Sequence, residues 1–121
     1  MANTTAVGQV AEAQALAWLT TRGLQLVEHN ARRRFFELDL VMLDGETVVF
    51  VEVKYRANAD FGGGEAAISL DKQRRLLAGA QAWLVEYGWE DRSVRFDVVV
   101  AGGEIDNCTL QHYPDCLVLD G

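Results

Sequence analysis

Two short runs of this sequence set acidic side chains beside a lysine in otherwise apolar surroundings. The first run carries Glu37 and Asp39, and the second carries Glu52 and Lys54 shortly after Phe50. Carboxylate oxygens are hard ligands that suit Mg²⁺ or Mn²⁺, and a nearby lysine can orient a water molecule or stabilise a developing negative charge. These residue types indicate metal-assisted hydrolysis, provided that the fold brings them together.

A β-hairpin would bring the two runs together. Residues 35–43 and 46–54 are rich in strand-forming residues, and the Asp44-Gly45 dipeptide between them is a strong hairpin signal. If this dipeptide is a two-residue turn, Leu43 lies opposite Glu46. A four-residue loop keeps the same side chains on each face, whereas a three-residue loop or a bulge would exchange the faces.

The register of that hairpin gathers the acidic side chains on one face. Asp39 then lies opposite Phe50 and Glu37 opposite Glu52, and Lys54 shares their face because side chains alternate along a strand. Asp39 and Glu52 become diagonal neighbours. Two carboxylates about 4 Å apart repel by roughly 1 kcal/mol in water and roughly 4 kcal/mol at an effective dielectric constant of 20. They must bind protons, nearby cations or a divalent metal ion; the alternative is an exposed acidic face with one ordinary ion pair.

A first helix can add a third carboxylate. The Asn3-Thr4-Thr5 segment can cap a helix that runs to Gly23. Glu12 lies inside the apolar arc of this helix, toward one border, where it can supply another oxygen ligand; the alternative is an ordinary solvated glutamate. The rest of the arc consists of Val7, Ala11, Ala15, Leu16, Trp18 and Leu19.

A second helix follows residues 57–65, a glycine-rich segment that is typical of a mobile loop. The helix is predicted to begin at Ser69, a good cap, and to end near Tyr87. Gln73 falls in the middle of its apolar face, as either a site residue or a satisfied polar group of the core. The apolar residues of that face are Leu70, Leu76, Leu77, Ala80, Trp83, Leu84 and Tyr87.

Further strands complete an α/β arrangement. A short strand is predicted at residues 24–28, a strand buried on both faces at residues 93–101, and a possible last strand at residues 109–113. The order is α-β-β-β-α-β with a possible extra strand, in a single domain of residues 1–121. Helices on each side of a mixed sheet are the natural packing for this order.

Composition narrows the class of protein. The chain has 121 residues, of which 50% are hydrophobic and 24% are charged, and its formal net charge is −7. No apolar run approaches the roughly 18 residues that a membrane helix needs, and the first residues lack the features of a signal peptide. We therefore expect a cytoplasmic protein with no membrane association. The excess of acid argues against a general nucleic-acid binder.

The remaining reactive residues carry weaker signals. Cys108 and Cys116 are too few for a disulfide framework or a four-cysteine zinc site, and we expect reduced thiols. Asp97 is expected to cap, turn or pair near Arg95. His112 is a lone histidine and is expected to be structural or at the surface.

The basic residues cluster around the two acidic runs. Of the 11 lysines and arginines, eight lie between positions 32 and 75, and the acids collect in the C-terminal third. Lys72 and Arg75 are predicted on the outer face of the second helix, where they can contact phosphates. A solvated loop is the alternative for residues 32–34. The residues predicted to bind nucleic acid are Arg33, Arg34, Arg56, Lys72 and Arg75.

The order of these motifs resembles the PD-(D/E)xK nuclease superfamily. Residues 50–56 (FVEVKYR), with ELDLV at residues 37–41 upstream, are similar to its YraN-like family of small bacterial proteins, whose fold is similar to archaeal Holliday junction resolvases. A bare E-x-K pattern occurs by chance in most proteins, but the ordered combination is specific. Further matches over most of the chain are Gly8, Glu12, Ala15 and Leu19, Phe61-Gly62, Lys72 with Arg75-Leu76, and Arg95-Phe96-Asp97-Val98-Val99.

The resemblance implies a restriction-endonuclease-like core and an endonuclease that uses Mg²⁺ or Mn²⁺ to hydrolyse nucleic acid, with DNA favoured and branched or structured DNA as one possible form of the substrate. Asp39 and Glu52 would be metal ligands, Lys54 the catalytic lysine, and Glu12 a helix-borne ligand or base. The main-chain carbonyl of Val53 often completes the metal shell in such folds. Gln73 would match a helix glutamine that some members of the superfamily place beside the site. Glu37, from its position on the strand, is expected to support the ligands or to lie at the surface rather than to bind the metal.

One position departs from the family pattern. Phe36 stands where the family has a glycine before the first glutamate, and its bulk would either narrow the approach of a nucleic-acid backbone or pack outside the sheet. This departure and the acidic net charge favour the alternative of a non-catalytic binding or scaffold domain. An RNA-directed nuclease is a third possibility. A homodimer is plausible because a chain of this size offers little surface for a duplex.

Overall fold

The computed structural model describes residues 6–57 and 68–117. Its elements follow the predicted order and include the extra strand: α1 (Ala6–Thr21), β1 (Gln25–Arg32), β2 (Glu37–Asp44), β3 (Thr47–Arg56), α2 (Leu70–Tyr87), β4 (Val94–Gly102), a 3₁₀ turn (Ile105–Asn107) and β5 (Thr109–Tyr113). No helix within these residues is long and apolar enough to cross a membrane.

The five strands form one mixed sheet in the order β1-β2-β3-β4-β5. Strands β3 and β4 are parallel, and every other neighbouring pair is antiparallel. Parallel neighbours need a crossover connection, which α2 provides. The mixed sheet with its two helices confirms the predicted α/β class.

Each face of the sheet carries a hydrophobic cluster. The cluster on the α1 side consists of Ala15, Leu19, Leu24, Leu40, Met42, Val49, Val51 and Val99. The cluster on the α2 side consists of Ala31, Leu38, Val41, Val48, Phe50, Ile68, Leu76, Ala80, Trp83, Leu84, Val98 and Val100. The three consecutive valines of β4 are completely buried, as predicted for a central strand that is covered on both faces.

Helix α2 begins and ends where its sequence signals predict. The Ser69 side chain accepts a hydrogen bond from the backbone N–H of Lys72, and Gly88 ends the helix in the left-handed region at φ 69°. Leu70 and Tyr87, predicted on its apolar face, are instead 50% and 39% exposed because they lie at the two helix ends. The predicted cap of α1 at residues 3–5 and most of the glycine-rich segment lie outside the described residues.

The hairpin turn lies one residue later than predicted. Gly45, at φ 62°, and Glu46 form the turn, and Asp44 pairs with Thr47 instead of belonging to the turn. Glycine at the first central position is the preference of the II′ class of two-residue turns. The change moves β3 by two residues along β2, so that Val41 and not Asp39 lies opposite Phe50. A two-residue shift keeps each side chain on its predicted face.

Strand β1 is longer than the predicted strand at residues 24–28. It extends to Arg32 and contains an irregularity between Leu26 and Glu28, and Asn30 adopts a positive φ of 54°. These irregularities and the polar residues from His29 onward break the alternation that marks a strand in sequence. Pairing with β2 maintains the strand over this stretch.

Candidate active site

The site forms where the central hairpin stops pairing. Backbone pairing between β2 and β3 ends at Leu40 and Val51, although β2 continues along β1 and β3 continues along β4. Beyond that point the side chain of Asp39 takes the place of a backbone acceptor, because its Oδ2 accepts the N–H of Val53 at 2.9 Å. The end of the ladder therefore leaves room for side chains between two central strands.

A single open cleft at this point brings together the four residues predicted to do the chemistry: Glu12, Asp39, Glu52 and Lys54. They come from α1, β2 and β3. The cleft is also lined by three predicted phosphate-binding residues and one predicted supporting residue, namely Arg56, Lys72, Arg75 and Glu37. The other lining residues are Gly8, Val53, Tyr55, Ile68 and Ser69.

Glu52 is a buried carboxylate with one incomplete ion pair. The residue is 7% exposed, and its Oε2 lies 3.6 Å from the Nζ of Lys72. Burial and the neighbouring charge of Asp39 raise the pKa of Glu52 to about 8, although the ammonium of Lys72 acts in the opposite direction. At neutral pH this carboxyl group therefore holds a proton unless a further cation comes close.

Glu12 reaches the cleft from α1, and its carboxyl group, like that of Glu52, is buried with little compensating positive charge. The residue is 8% exposed, and its Oε1 has no hydrogen-bond partner among the described residues. Nε2 of His29 lies 4.0 Å from that oxygen. Burial, followed by the charge of Asp39, raises the pKa of Glu12 to about 7. A buried oxygen without a partner is expensive, and it is satisfied by a proton or a bound cation.

Asp39 joins the other two carboxyl groups. Burial raises its pKa above the ordinary value, while the N–H of Val53 and the charge of Lys72 oppose that rise. Its charge in turn raises the pKa of both Glu12 and Glu52. The protonation of each group therefore depends on the other two, and added positive charge in the cleft would favour the ionised form of all three.

The donor set fits an ion that takes few ligands from the protein. Among the described residues, no three His, Cys, Asp or Glu side chains are gathered in an arrangement that could hold a metal ion. Mg²⁺ does not require such a cage, since it keeps several waters and commonly binds through one or two carboxylates together with substrate phosphates. Asp39 and Glu52, with the unpartnered oxygen of Glu12, have the chemistry for this mode.

Lys72 differs from its predicted orientation. We expected it on the outer face of α2, but its ammonium group turns to Glu52 in the cleft, and the side chain is only 34% exposed. The cap at Ser69 fixes the first turn of α2 beside the cleft, and Ser69 itself lines it. The sequence showed the cap but not which strand the first turn would approach, so this ion pair was missed.

Arg33 is held by two carboxylates outside the cleft. Its guanidinium donates to both oxygens of Glu28 at 3.0 Å and to Glu86 at 2.9 Å. Glu28 also accepts from the Trp83 Nε1 and the Tyr87 hydroxyl, and the hydrogen bonds from Arg33 lower the pKa of Glu28 to about 2. This network has no local signal in the sequence, and it occupies a side chain predicted to bind phosphate.

Phe36 packs away from the cleft. It lies against Gly79 of α2, where a methyl group built on the glycine would be 3.0 Å from the Phe36 Cβ. Only glycine allows so close an approach at this position. Phe36 does not line the carboxylate cleft, but it does line the neighbouring groove of Arg34 and Phe35, so its effect on the approach of a nucleic acid stays a prediction.

Gln73 supports the rim of the cleft from the core. Its side chain is 1% exposed, and its Nε2 donates to the carbonyl oxygen of Ile68 at 3.2 Å. Ile68 lines the cleft, whereas Gln73 does not. The hydrogen bond matches the expectation of a satisfied core polar group, and direct participation of Gln73 stays a prediction.

Asp97 pairs with Arg95, as expected. Arg95 donates two hydrogen bonds to the carboxylate, at 2.9 and 3.0 Å, and His112 contacts it at 2.7 Å. The structural role predicted for His112 is confirmed by this contact. Cys108 and Cys116 form no disulfide, in agreement with the expectation of reduced thiols.

The fold and the cleft together define an α/β protein with three coupled carboxyl groups at the end of its central strands. The chain belongs to the uncharacterised protein family UPF0102, whose model matches residues 11–101. That span includes Glu12, Asp39, Glu52 and Lys54. The match confirms the predicted YraN-like family by its name and assigns no activity to it.

Several bacterial relatives are similar over most of their length. The chain is 50% identical over 103 residues to a UPF0102 protein of Pseudomonas putida strain F1, covering 84% of each chain. It is 47% identical over 100 residues to one of Stutzerimonas stutzeri, covering 82% of this chain and 83% of the relative. A relative from Pseudomonas syringae is 46% identical over 101 residues, covering 83% and 82% respectively.

Proposed function

We propose that this chain is a metal-dependent endonuclease of the PD-(D/E)xK superfamily that hydrolyses phosphodiester bonds, with DNA as the favoured substrate. The observation that carries the proposal is the set of three coupled carboxyl groups, Glu12, Asp39 and Glu52, in one cleft rimmed by cations. Such a cluster is costly for the fold unless a cation binds there, and perturbed carboxyl groups in a cleft are typical of functional sites.

Asp39 and Glu52 would hold Mg²⁺ or Mn²⁺, with Glu12 as a further ligand or a base. A bound divalent ion would supply a Lewis acid that lowers the pKa of its water and offsets charge on the phosphate. The N–H of Val53 donates to Oδ2 of Asp39 and would hold this carboxylate in position for the ion. The raised pKa of Glu12 suits a group that accepts a proton near neutral pH.

The two lysines of the cleft would have different roles in the reaction. Lys54 follows Glu52 on β3 and lines the cleft, where it would position the attacking water or stabilise the charge of the transition state. Lys72 is paired with Glu52, and it would hold that carboxylate in place and contact the substrate phosphate. Arg56 and Arg75 would hold neighbouring phosphates along the rim.

A nucleic-acid substrate implies a location in the cytoplasm of a bacterial cell. The homodimer that would present two clefts to the two strands of a duplex stays a prediction.

A second candidate is a non-catalytic domain that binds nucleic acid or acts as a scaffold. Two observations favour it: the net charge of −7, and the lack of a preformed trio of metal ligands among the described residues. This candidate provides no role for the unpartnered oxygen of Glu12.

Cleavage assays separate the two candidates. Labelled branched, flapped, single-stranded and duplex DNA, with an RNA arm, are incubated with the protein in Mg²⁺, Mn²⁺ or chelator. We expect cleavage only with a divalent ion and no cleavage by Asp39→Asn. Glu46→Gln, which removes an exposed carboxylate from the turn of the same hairpin, serves as the matched control and should retain full activity. Intact DNA under every condition would sink the proposal, and cleavage of RNA alone would change its substrate.

A further inference from the structure

One aromatic side chain next to the cleft is almost fully exposed. Phe35 is 88% exposed, more than any other large hydrophobic residue described. It lies in the connection between β1 and β2, beside Arg34, whose guanidinium lies 5.5 Å from the centre of its ring. Single exposed apolar residues are common, so the position needs a second observation before it indicates a ligand.

The second observation is a basic groove that joins Phe35 to the carboxylate cleft. The groove shares Glu37, Lys72 and Arg75 with the cleft. Its complete lining is Arg33, Arg34, Phe35, Phe36, Glu37, Lys72, Arg75 and Leu76. Four of these eight side chains are cationic and one is acidic, although the net charge of the whole chain is −7. The groove is thus more basic than the chain as a whole, and two of its cations, Arg34 and Arg75, are not the ones paired with Glu28, Glu86 and Glu52.

The connection that carries Phe35 is held in place on both sides. The backbone N–H of Arg33 donates to the carbonyl oxygen of Phe36 at 2.8 Å, which closes the turn. The Arg33 side chain is tied to Glu28 and Glu86, and Phe36 packs on Gly79. Phe35 is therefore presented to solvent by a well-supported turn and is not a disordered tip.

We propose that Phe35 stacks on an unpaired base of the nucleic-acid strand that enters the cleft, while Arg34 and Arg75 hold the phosphates on either side of that base. An exposed aromatic ring flanked by cations matches the two parts of a nucleotide, because the ring can stack on the base and the cations can bind the phosphates of the backbone. This inference rests on the proposed function and adds its substrate class: DNA with an unpaired segment beside the cleaved bond.

Binding measurements test the stacking without depending on cleavage. Fluorescence anisotropy compares a forked DNA with a blunt duplex of the same length, in Mg²⁺, with Glu52→Gln as the non-cleaving background. We expect Phe35→Ala and Phe35→Leu to bind the fork roughly 5- to 100-fold more weakly and Phe35→Trp to restore binding. Val85→Ala removes another exposed apolar side chain, 62% exposed on α2 and outside the groove, and should bind like its parent.

Three results would overturn the inference. Equal losses on the fork and the blunt duplex would mean that no unpaired base is recognised. Full binding by Phe35→Leu would mean that an apolar contact and not ring stacking is involved. A dimer of the parent that becomes monomeric in Phe35→Ala, measured by sedimentation, would assign Phe35 to a second copy of the chain.

A 2-aminopurine base in the single-stranded arm gives an independent readout. Its fluorescence should fall when the Phe35→Trp variant binds and should recover with Phe35→Ala. Unchanged fluorescence with all variants, or no binding of either DNA by the parent, also contradicts stacking. Stacking by a protein whose wild type cleaves no DNA would instead contradict only the proposed function.

Discussion

Two buried carboxylates on neighbouring strands of the central sheet have pKa values that are shifted in opposite directions. Asp97 of β4 is level with Val51, one residue before Glu52 on the neighbouring strand. Burial acts to raise the pKa of Asp97, but hydrogen bonds from His112, Arg95 and the backbone N–H of Asp115 outweigh it and hold that pKa below its usual value. Glu52 has an ion pair with Lys72 at 3.6 Å, and burial, followed by the charge of Asp39, raises its pKa to about 8.

The difference shows that burial alone does not decide the charge of a carboxyl group in this fold. The donors around Asp97 are complete, and they attach Asp115, which has a positive φ of 51°, and the edge strand β5 to the sheet. The ion pair of Glu52 with Lys72 does not offset the effect of burial on its pKa, and Oε1 of Glu12 has no hydrogen-bond partner among the described residues. A saturated carboxylate is a structural element, whereas an under-compensated cluster is suited to a proton or a metal ion.

The largest difference between the two regions should be in catalysis. Glu52→Gln removes a proposed metal ligand, and we expect its cleavage rate to fall on the order of 10³-fold, as loss of about 4 kcal/mol of transition-state stabilisation requires. Asp97→Asn should retain measurable cleavage wherever it remains folded. Single-turnover rates on the best substrate of the panel measure both. Equal losses of cleavage rate in the two folded variants would contradict the distinction between the roles of Glu52 and Asp97.

Stability should show the reverse order. Asp97→Ala leaves the partly exposed Arg95 paired only with Asp44 and removes the acceptor of His112 and of the Asp115 N–H, and we expect it to cost about 1–3 kcal/mol. Glu52→Gln removes a buried carboxyl group whose charge is poorly compensated, and it should leave the free energy of unfolding at pH 8 unchanged or increased. Urea unfolding followed by tryptophan fluorescence gives both free energies. A greater loss of stability in Glu52→Gln than in Asp97→Ala would contradict the assignment of roles.

The pH dependence of stability should have opposite signs for the two regions. The folded-state pKa of Glu52 and of Glu12 is raised, so their contribution is fully present near pH 4 and is lost as pH rises to about 7 and 8. We expect the metal-free protein to lose at least about 1 kcal/mol between pH 5 and pH 8, since one pKa unit corresponds to about 1.4 kcal/mol.

Asp97 has a lowered pKa, so its contribution is present above about pH 4 and is lost in acid. Urea unfolding at several pH values in chelator measures both effects. Glu52→Gln should flatten the neutral slope and leave the acid limb unchanged. A wild-type stability that rises from pH 5 to pH 8 would mean that the cleft carboxyls are already compensated.

The smallest effect should come from the cations of the two regions. Lys72→Met removes a side chain that is one-third exposed, and such pairs contribute at most about 1 kcal/mol. Arg95→Met leaves the fully buried Asp97 without a two-pronged donor and should destabilise more. Thermal unfolding at pH 7 compares the two variants. An equal or larger effect of Lys72→Met would indicate that Glu52 is bound more tightly than its contacts suggest.

The sequence predicted the elements that carry strong local signals. The cap at Ser69, the end of α2 near Tyr87, the hydrophobic strands and the convergence of Asp39 with Glu52 all follow from local patterns and from the two-residue period of a strand. The two-residue error in hairpin register did not separate the predicted site residues, because a shift of two residues leaves the paired side chains on their predicted faces.

What the sequence could not give depends on contacts between distant residues. The ion pair of Lys72 with Glu52 requires the approach of α2 to the end of β3. The unpartnered oxygen of Glu12 requires knowledge of every donor around α1. The irregular β1 is maintained by its pairing with β2 and not by its own pattern. None of these has a local sequence signal.

Calorimetric titration of Mg²⁺ and Mn²⁺ at pH 7 tests the central claim most directly, because it examines the under-compensated cluster without any assumption about substrate. We expect the wild type to bind a divalent ion and to release protons as the raised carboxyl pKa values fall. Asp39→Asn should lose this binding, whereas Glu46→Gln should keep it. Wild-type protein that binds neither ion, or that binds it equally well after Asp39→Asn, would contradict the assignment of the cleft as a metal site.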